Sequence, residues 1–252
     1  KILLDNLDTS RSESYEDWRD VGLLLHGISK KTEMLNVWKE FSRKATNYDE
    51  KGCDDKWKLW RTNTRKENVL TIKTLHWWVR QDIPIDDYRD LIKETLSEKI
   101  RISLEGDKST GAHYDVANVI SDYYKNEFVC SGLKENYWYY FNEDSGGKWE
   151  ATEVGHELRK RLSSDIVKIY MYYMKKYQIK SDSEPDGSDW KKIWDMKVAN
   201  CGKIIAKLKD SSYKDKIIRE CRELFYDSEF DEKINSNFDL IGFDNGVFDL
   251  KA

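Results

Sequence analysis

Proline is almost absent from this chain, with two residues in 252. Proline fixes φ and removes a backbone donor, so it punctuates turns and breaks helices. A chain nearly without it favours long helices over a sheet fold of many turns. Apolar spacing points the same way. Ser14-Tyr15-Glu16-Asp17 has the form of a capping box, with Ser14 as N-cap. Trp18, Val21 and Leu25 follow at helical spacing, and Leu24 widens the stripe. Thr32 is read as the cap of a second helix carrying Leu35, Trp38 and Phe41. A shorter third helix holds Trp57 and Trp60, and Thr71 caps a fourth with Ile72, Leu75 and Val79 inward. Residues 14–81 therefore read as a helical domain cored by tryptophans. Ten Trp and an aromatic share of 13% are too rich for a disordered chain.

Asp82-Ile83-Pro84 breaks that pattern. A helix with Tyr88, Leu91, Ile92 and Leu96 bridges to a loop at 105–113, and Val116, Val119, Ile120 and Tyr123 mark another helix. Then the period changes. Tyr137 to Phe141 is a dense aromatic run, Asp144-Ser145-Gly146-Gly147 is turn chemistry, and Lys148 to Thr152 resumes an extended pattern. This predicts a β-hairpin over 136–152. A long helix over roughly 153–179 carries Leu158, Leu162, Ile166, Ile169, Tyr173 and Tyr177 along one side. After a polar loop at 181–188, two helices carry Trp190, Ile193, Trp194, Ile204 and Leu208, then Ile217, Cys221, Leu224 and Phe225. Asn245-Gly246 between apolar runs signals a closing hairpin. The expected fold class is mainly α with small β-hairpins, in two helical subdomains. The expected division is 1–82, a bridge over 83–112, and 113–252.

Several chemistries have no carrier here. A phosphate-binding loop needs G-x-x-x-x-G-K-[ST], whose backbone N–H groups cradle the phosphates. Gly106-Asp107-Lys108-Ser109 has no Gly before its Lys, and Gly146-Gly147-Lys148 runs into Trp149. Asp182, Glu184, Asp186 and Gly187 imitate the start of a calcium loop, but Ile193 stands where a bidentate Glu is required. The four His have no metal-ligand companions at the usual spacings. No catalytic residue, cofactor-binding residue or metal ligand is assigned. Four widely spaced Cys without a C-x-x-C pair favour a reducing, intracellular compartment over a disulfide framework. No run of about 18 apolar residues is present, so no membrane span is expected. The first residues, Lys1-Ile2-Leu3, lack Met and a signal-peptide layout, and suggest a chain that begins inside a longer protein or has been trimmed.

The net charge of −4 gives no global basic excess, so any nucleic-acid surface has to be local. One such concentration exists. Residues 156–180 carry seven cations against Glu157 and Asp165. At 100° per residue, Lys160, Arg161, Lys168 and Lys175 fall within roughly one 100° arc opposite much of the apolar stripe. That arc reads either as a solvated helix exterior or as a phosphate-contacting face. Residues 227–252 reverse the sign, with seven acids against Lys233 and Lys251. The run at 137–141 could supply base-stacking rings, but an alternating hairpin packs one face into the core.

Tyr15 to His26, Val37-Trp38-Lys39-Glu40-Phe41-Ser42, Lys56-Trp57 and Leu70 to Leu75 resemble, in order, the C-terminal helical domain of primases. Val116-Ala117-Asn118, Tyr123-Tyr124, Trp138 to Phe141 with Trp149, and the terminal Asn245-Gly246-Val247-Phe248-Asp249-Leu250 resemble the segment before the motor in poxvirus-type primase–helicases of large DNA viruses. The resemblance implies a multidomain replication protein: a primase, this region, then a superfamily-III hexameric ATPase. In that family the catalytic carboxylates lie upstream of this stretch and the nucleotide-binding motifs downstream. It implies a non-catalytic linker or collar that couples primase to helicase and guides DNA, in the host cytoplasm or at a viral replication site. ATP and Mg²⁺ are expected of the full-length parent and none of this fragment. The expected partners are DNA, bound weakly and without sequence preference through Lys160, Arg161, Lys168 and Lys175, copies of itself through the downstream ring, and other replication proteins. The alternative is a protein-interaction or oligomerisation module with no DNA contact.

Overall fold

The helix foretold after Ser14 begins at Tyr15 in the computed structural model, and the Ser14 side chain accepts from the Asp17 N–H at 3.4 Å. The structure describes residues 1–62, 70–105, 110–142, 148–234, 236, 240–243 and 246–249; of residues 61, 62, 73, 240–243 and 246–249 it describes the backbone alone. The chain divides into two units, Lys1–Glu94 and Thr95–Ala252.

The first unit is helical: α1 (Ile2–Asp5), α2 (Ser10–Glu13), α3 (Tyr15–Ile28), α4 (Thr32–Ser42), α5 (Glu50–Thr62), α6 (Ile72–Asp82) and α7 (Ile85–Thr95). Its centre is Trp38, fully buried, with the rings of Trp18, Trp60 and Trp57 at 4.7, 5.0 and 5.9 Å. Buried indole N–H groups need acceptors, and both neighbours supply them. Trp38 donates to the Trp18 carbonyl at 3.1 Å, and Trp18 donates to Ser42 Oγ at 2.8 Å. Gly22 on α3 faces this cluster. A Cβ there would stand 2.5 Å from the Trp38 ring and 2.8 Å from Trp60, so only glycine permits the approach. Where α6 ends, Arg11 grips Asp82 through Nε at 2.7 Å and a second nitrogen at 2.8 Å.

Two local expectations are corrected. Thr32 is the first helical residue rather than the cap, a place taken by Lys31. Ile72 is 38% exposed although Leu75 and Val79 are buried, because it sits in the first turn beyond reach of the core.

The second unit contains α8 (Ser97–Leu104), α9 (His113–Tyr123), β1 (Phe128–Gly132), β2 (Tyr137–Asn142), β3 (Lys148–Glu153), α10 (His156–Arg161), a π-turn (Leu162–Ile166), α11 (Val167–Asp182), α12 (Asp189–Lys207), α13 (Ser211–Leu224), α14 (Phe230–Lys233), β4 (Leu240–Phe243) and β5 (Gly246–Asp249). The mainly α expectation with small β elements holds. The aromatic hairpin is β2–β3, antiparallel, with Tyr137 opposite Glu153 and Asn142 opposite Lys148. Its turn at 144–147, the loop at 106–109 and Asn245 lie outside the described residues.

The hairpin is one strand larger than expected, since β1 adds antiparallel to β2. The free edge of β1 is partly closed by the chain after α13: Cys130 donates to the Phe225 carbonyl at 2.9 Å and accepts from the Asp227 N–H at 3.0 Å. Alternation decides the faces. Trp138 is fully buried against Phe225, while Tyr139, Phe141 and Trp149 form the other face. Phe230 of α14 lies on Tyr139 and Trp149 at 5.1 and 4.9 Å.

Candidate nucleic-acid interface

The long basic helix is interrupted. A π-turn absorbs one extra residue into the helical path, so everything after it is rotated relative to an unbroken α-helix. From Lys160 to Lys168 the rotation is roughly 80° in an α-helix and roughly −20° once that residue is absorbed, and Lys175 follows about 20° further. The same shift keeps Leu158, Leu162, Ile166, Ile169, Tyr170 and Tyr173 on one side, and all are at most 1% exposed. Tyr170 locks the buried side by donating to Ser103 Oγ at 2.9 Å, and burial pushes its hydroxyl pKa up. At the turn, Ser163 donates to the Leu208 carbonyl at 3.1 Å and accepts from Lys214 at 3.0 Å.

Three of the four sequence-predicted cations share the outer stripe. The side chains of Lys160 and Lys168 are 71% and 72% exposed, each 3.9 Å from an acid one turn back, Glu157 and Asp165. Lys175 is exposed and makes no ion pair among the described residues. Along the helix the three are spaced by roughly 11–12 Å. Met171 and Ile179, 43% and 70% exposed, stand between and beyond them.

Arg161 does not share that stripe. Its side chain is 20% exposed, its guanidinium meets Glu127 at 2.8 Å, and it lies over the rings of Phe128 and Tyr124 at 5.0 and 5.5 Å. Burial pulls the Arg161 pKa down, and the Glu127 carboxylate with Tyr124 and Asp165 more than offsets this, holding it above the ordinary value. Tyr124, itself buried, donates to Asp165 at 3.0 Å. Adjacency explains the difference, because a residue one step along a helix is turned by about 100°, and that places Arg161 against β1.

A groove of about 730 Å³ runs between β2–β3 and helices α10 and α13, with Tyr140, Val154, His156, Arg159, Arg219 and Arg222 on its walls. Val154 holds φ of 51°, unusual for a β-branched residue, beside Gly155 at 69°. Its lining carries three arginines and three acids, Glu153, Glu157 and Asp215, and Arg159 is bound to Asp215 at 2.8 Å. The groove therefore has no strong preference for either charge. Among the described residues no group of three or more His, Cys, Asp or Glu is placed to hold a metal ion, and no helix is long and apolar enough to cross a membrane. The four cysteines are free and buried.

A tryptophan-cored helical unit followed by an α-rich unit with a small antiparallel sheet and a basic helix stripe defines the class. Its family follows from comparison. Residues 117–252, more than half of the chain, match the family described as D5 N terminal like, and the chain belongs to that family. Residues 1–79 match Primase C terminal 2 (PriCT-2). Both agree with the resemblance drawn from Tyr15–His26 and from the terminal apolar runs. A provisionally named helicase of Acanthamoeba polyphaga mimivirus, L207/L206, is 28% identical over 100% of this chain and 25% of its own length. One of Frog virus 3, 022R, is 26% identical over 97% of the chain and 26% of its own length. A provisionally named primase of African swine fever virus, C962R, is 24% identical over 94% of the chain and 26% of its own length. The chain thus spans about a quarter of the length of these relatives.

Proposed function

We propose that this chain is the linker and collar region of a viral DNA-replication primase–helicase, coupling a primase to an ATP-dependent hexameric DNA helicase. The observation that carries the reading is the order of the two family matches, a primase C-terminal module followed in the same chain by a D5 N-terminal region. The relatives that span it are named helicases or primases of large DNA viruses. In this reading ATP and Mg²⁺ belong to the motor of the full-length parent, and self-association runs through its ring. The parent works inside the host cell, in a reducing compartment. DNA is guided along Lys160, Lys168 and Lys175, with Arg161 holding the helix to β1 instead of touching phosphate.

The test is a fluorescence-anisotropy titration of labelled DNA at several salt concentrations, wild type beside a Lys160→Ala, Lys168→Ala, Lys175→Ala variant. Each phosphate contact contributes roughly 0.9 to the slope of log affinity against log salt on duplex and about 0.7 on single strands. Losing all three should flatten the slope by about 2–3 units and weaken all sequences alike. Binding should be micromolar or weaker, as for non-specific contacts of order 10⁻⁴–10⁻⁶ M. Equal slopes would sink the stripe as a DNA path. A second reading, an interaction module without DNA contact, is favoured by Met171 and Ile179 lying exposed beside the lysines. It takes over if neither protein binds DNA at low salt.

A further inference from the structure

Four aromatic rings climb from the core of the second unit to its surface. Tyr173 and Tyr177 of α11 are 1% and 7% exposed, with rings 6.2 Å apart. Trp194 of α12 stacks on Tyr177 at 5.9 Å and 14°. Trp190, one turn earlier, stacks on Trp194 at 6.2 Å and 23° and is 60% exposed. The spacing i, i+4 puts both indoles on one helix face. The near-parallel rings below fix the plane of the last one.

Two lysines flank the ladder. Lys180 lies 4.6 Å from the Trp194 centroid and Lys197 4.8 Å from it, with Lys197 also 5.3 Å from Tyr177. No carboxylate pairs with either among the described residues. Four of the acids close in sequence are engaged elsewhere: Asp186 by Lys191 at 3.0 Å, Asp189 by Lys192 at 2.9 Å, Asp195 by Ser181 at 2.5 Å and Asp182 by Gln178 at 2.8 Å.

We infer that Trp190 is a stacking rung for an unpaired base of single-stranded nucleic acid, with Lys180 and Lys197 facing the phosphates on either side of that base. A pre-oriented indole with its outer side in solvent fits any base, because every base has a π-face, and nearby ammonium groups supply the matching charge. Duplex offers no free base face inside the stack, which excludes it as the ligand. The rung stands on α12, apart from the lysine stripe on α10–α11, and does not depend on it.

The experiment uses the whole chain with labelled oligo(dT), oligo(rU), an abasic strand of equal length and duplex DNA, all at low salt. Trp190→Ala should weaken oligo(dT) binding by at least roughly fivefold, the lower bound for removing one base–aromatic stack. It should leave the affinity for the abasic strand and for duplex unchanged. Trp190→Phe, which keeps a ring, should retain most of the binding. A comparable loss on oligo(rU) supports a rung that ignores the sugar, and a loss on oligo(dT) alone supports one confined to DNA. Because Trp190 is mostly exposed, the thermal midpoint of the variant should match wild type. The inference is overturned if wild type binds oligo(dT) no tighter than the abasic strand. It is equally overturned if Trp190→Ala lowers both affinities together or neither, or if no strand binds. Alanines at Lys160, Lys168 and Lys175 would lower abasic and normal strands alike, so the two proposals fail separately.

Discussion

Arg161 and Glu127 form an ion pair at 2.8 Å whose carboxylate side chain is 6% exposed, tying the end of α10 to the start of the sheet. Removing one partner of a buried pair takes away compensation that the other charge needs. Arg161→Ala should therefore destabilise the second unit by about 3 kcal/mol, the lower end of the usual range, because Arg161 keeps some solvent contact. Urea unfolding followed by circular dichroism measures it. The salt slope of DNA binding should stay as in wild type, and a flattened slope would return Arg161 to the phosphate-contacting set.

Gly22→Ala tests the tryptophan cluster. The new methyl group meets Trp38 and Trp60 at under 3 Å, and Trp38 has no solvent side toward which to move. Overpacking of this kind costs about 1–3 kcal/mol, and the upper half of that range is expected. A change in denaturant midpoint of the first unit below the range would show that the helices part more easily than their packing implies.

The π-turn can be removed by deleting one residue. Deleting Ser164 should restore an unbroken α-helix in which the seven remaining steps from Lys160 to Lys168 keep the rotation of roughly −20°, so Ile169, Tyr170 and Tyr173 stay on the core and the loss stays within about 3 kcal/mol. Inserting one alanine after Val167 should instead turn those three side chains about 100° away, and since each buried side chain of this size contributes about 1.5–3 kcal/mol, that loss approaches the whole stability of an ordinary domain. Ser164→Ala, which keeps the register, should stay within about 0.5 kcal/mol of wild type. A deletion variant that fails to fold cooperatively, or an insertion variant as stable as wild type, would refute the rephasing.

The thiols should be silent in the native protein. Burial pushes Cys201 up to about 12 and raises the pKa values of Cys53, Cys130 and Cys221. The thiolate is the reactive form. Raising the pH from 7 to 9 should therefore not speed labelling of Cys201 by a thiol reagent, whereas denaturant should expose all four. Rapid native labelling of Cys201 at pH 9, mapped by mass spectrometry, would contradict its burial.

Much of this protein was written in short-range pattern. Ser14, Thr71 and the apolar spacings around Trp18, Trp38 and Leu75 announced helices because capping and amphipathicity act over three or four residues. The alternation at Tyr137–Phe141 announced β2 for the same local reason, and the ordered motifs carried the family. What tertiary structure decided was longer in reach. β1 is five residues whose pairing partners lie at Tyr137–Tyr140 and beyond α13, so no window around Phe128 announces it. Nothing local marks Gly22 as obligatory; the closure of Trp38 and Trp60 over it does. The π-turn at Leu162–Ile166 has no local signature, since it exists to keep two halves of an apolar stripe on one core. That rephasing aligned Lys160, Lys168 and Lys175, and the step to the next residue sent Arg161 inward to Glu127. Charge and composition fixed how many cations the helix carries; the packing of its opposite face fixed which of them meet solvent.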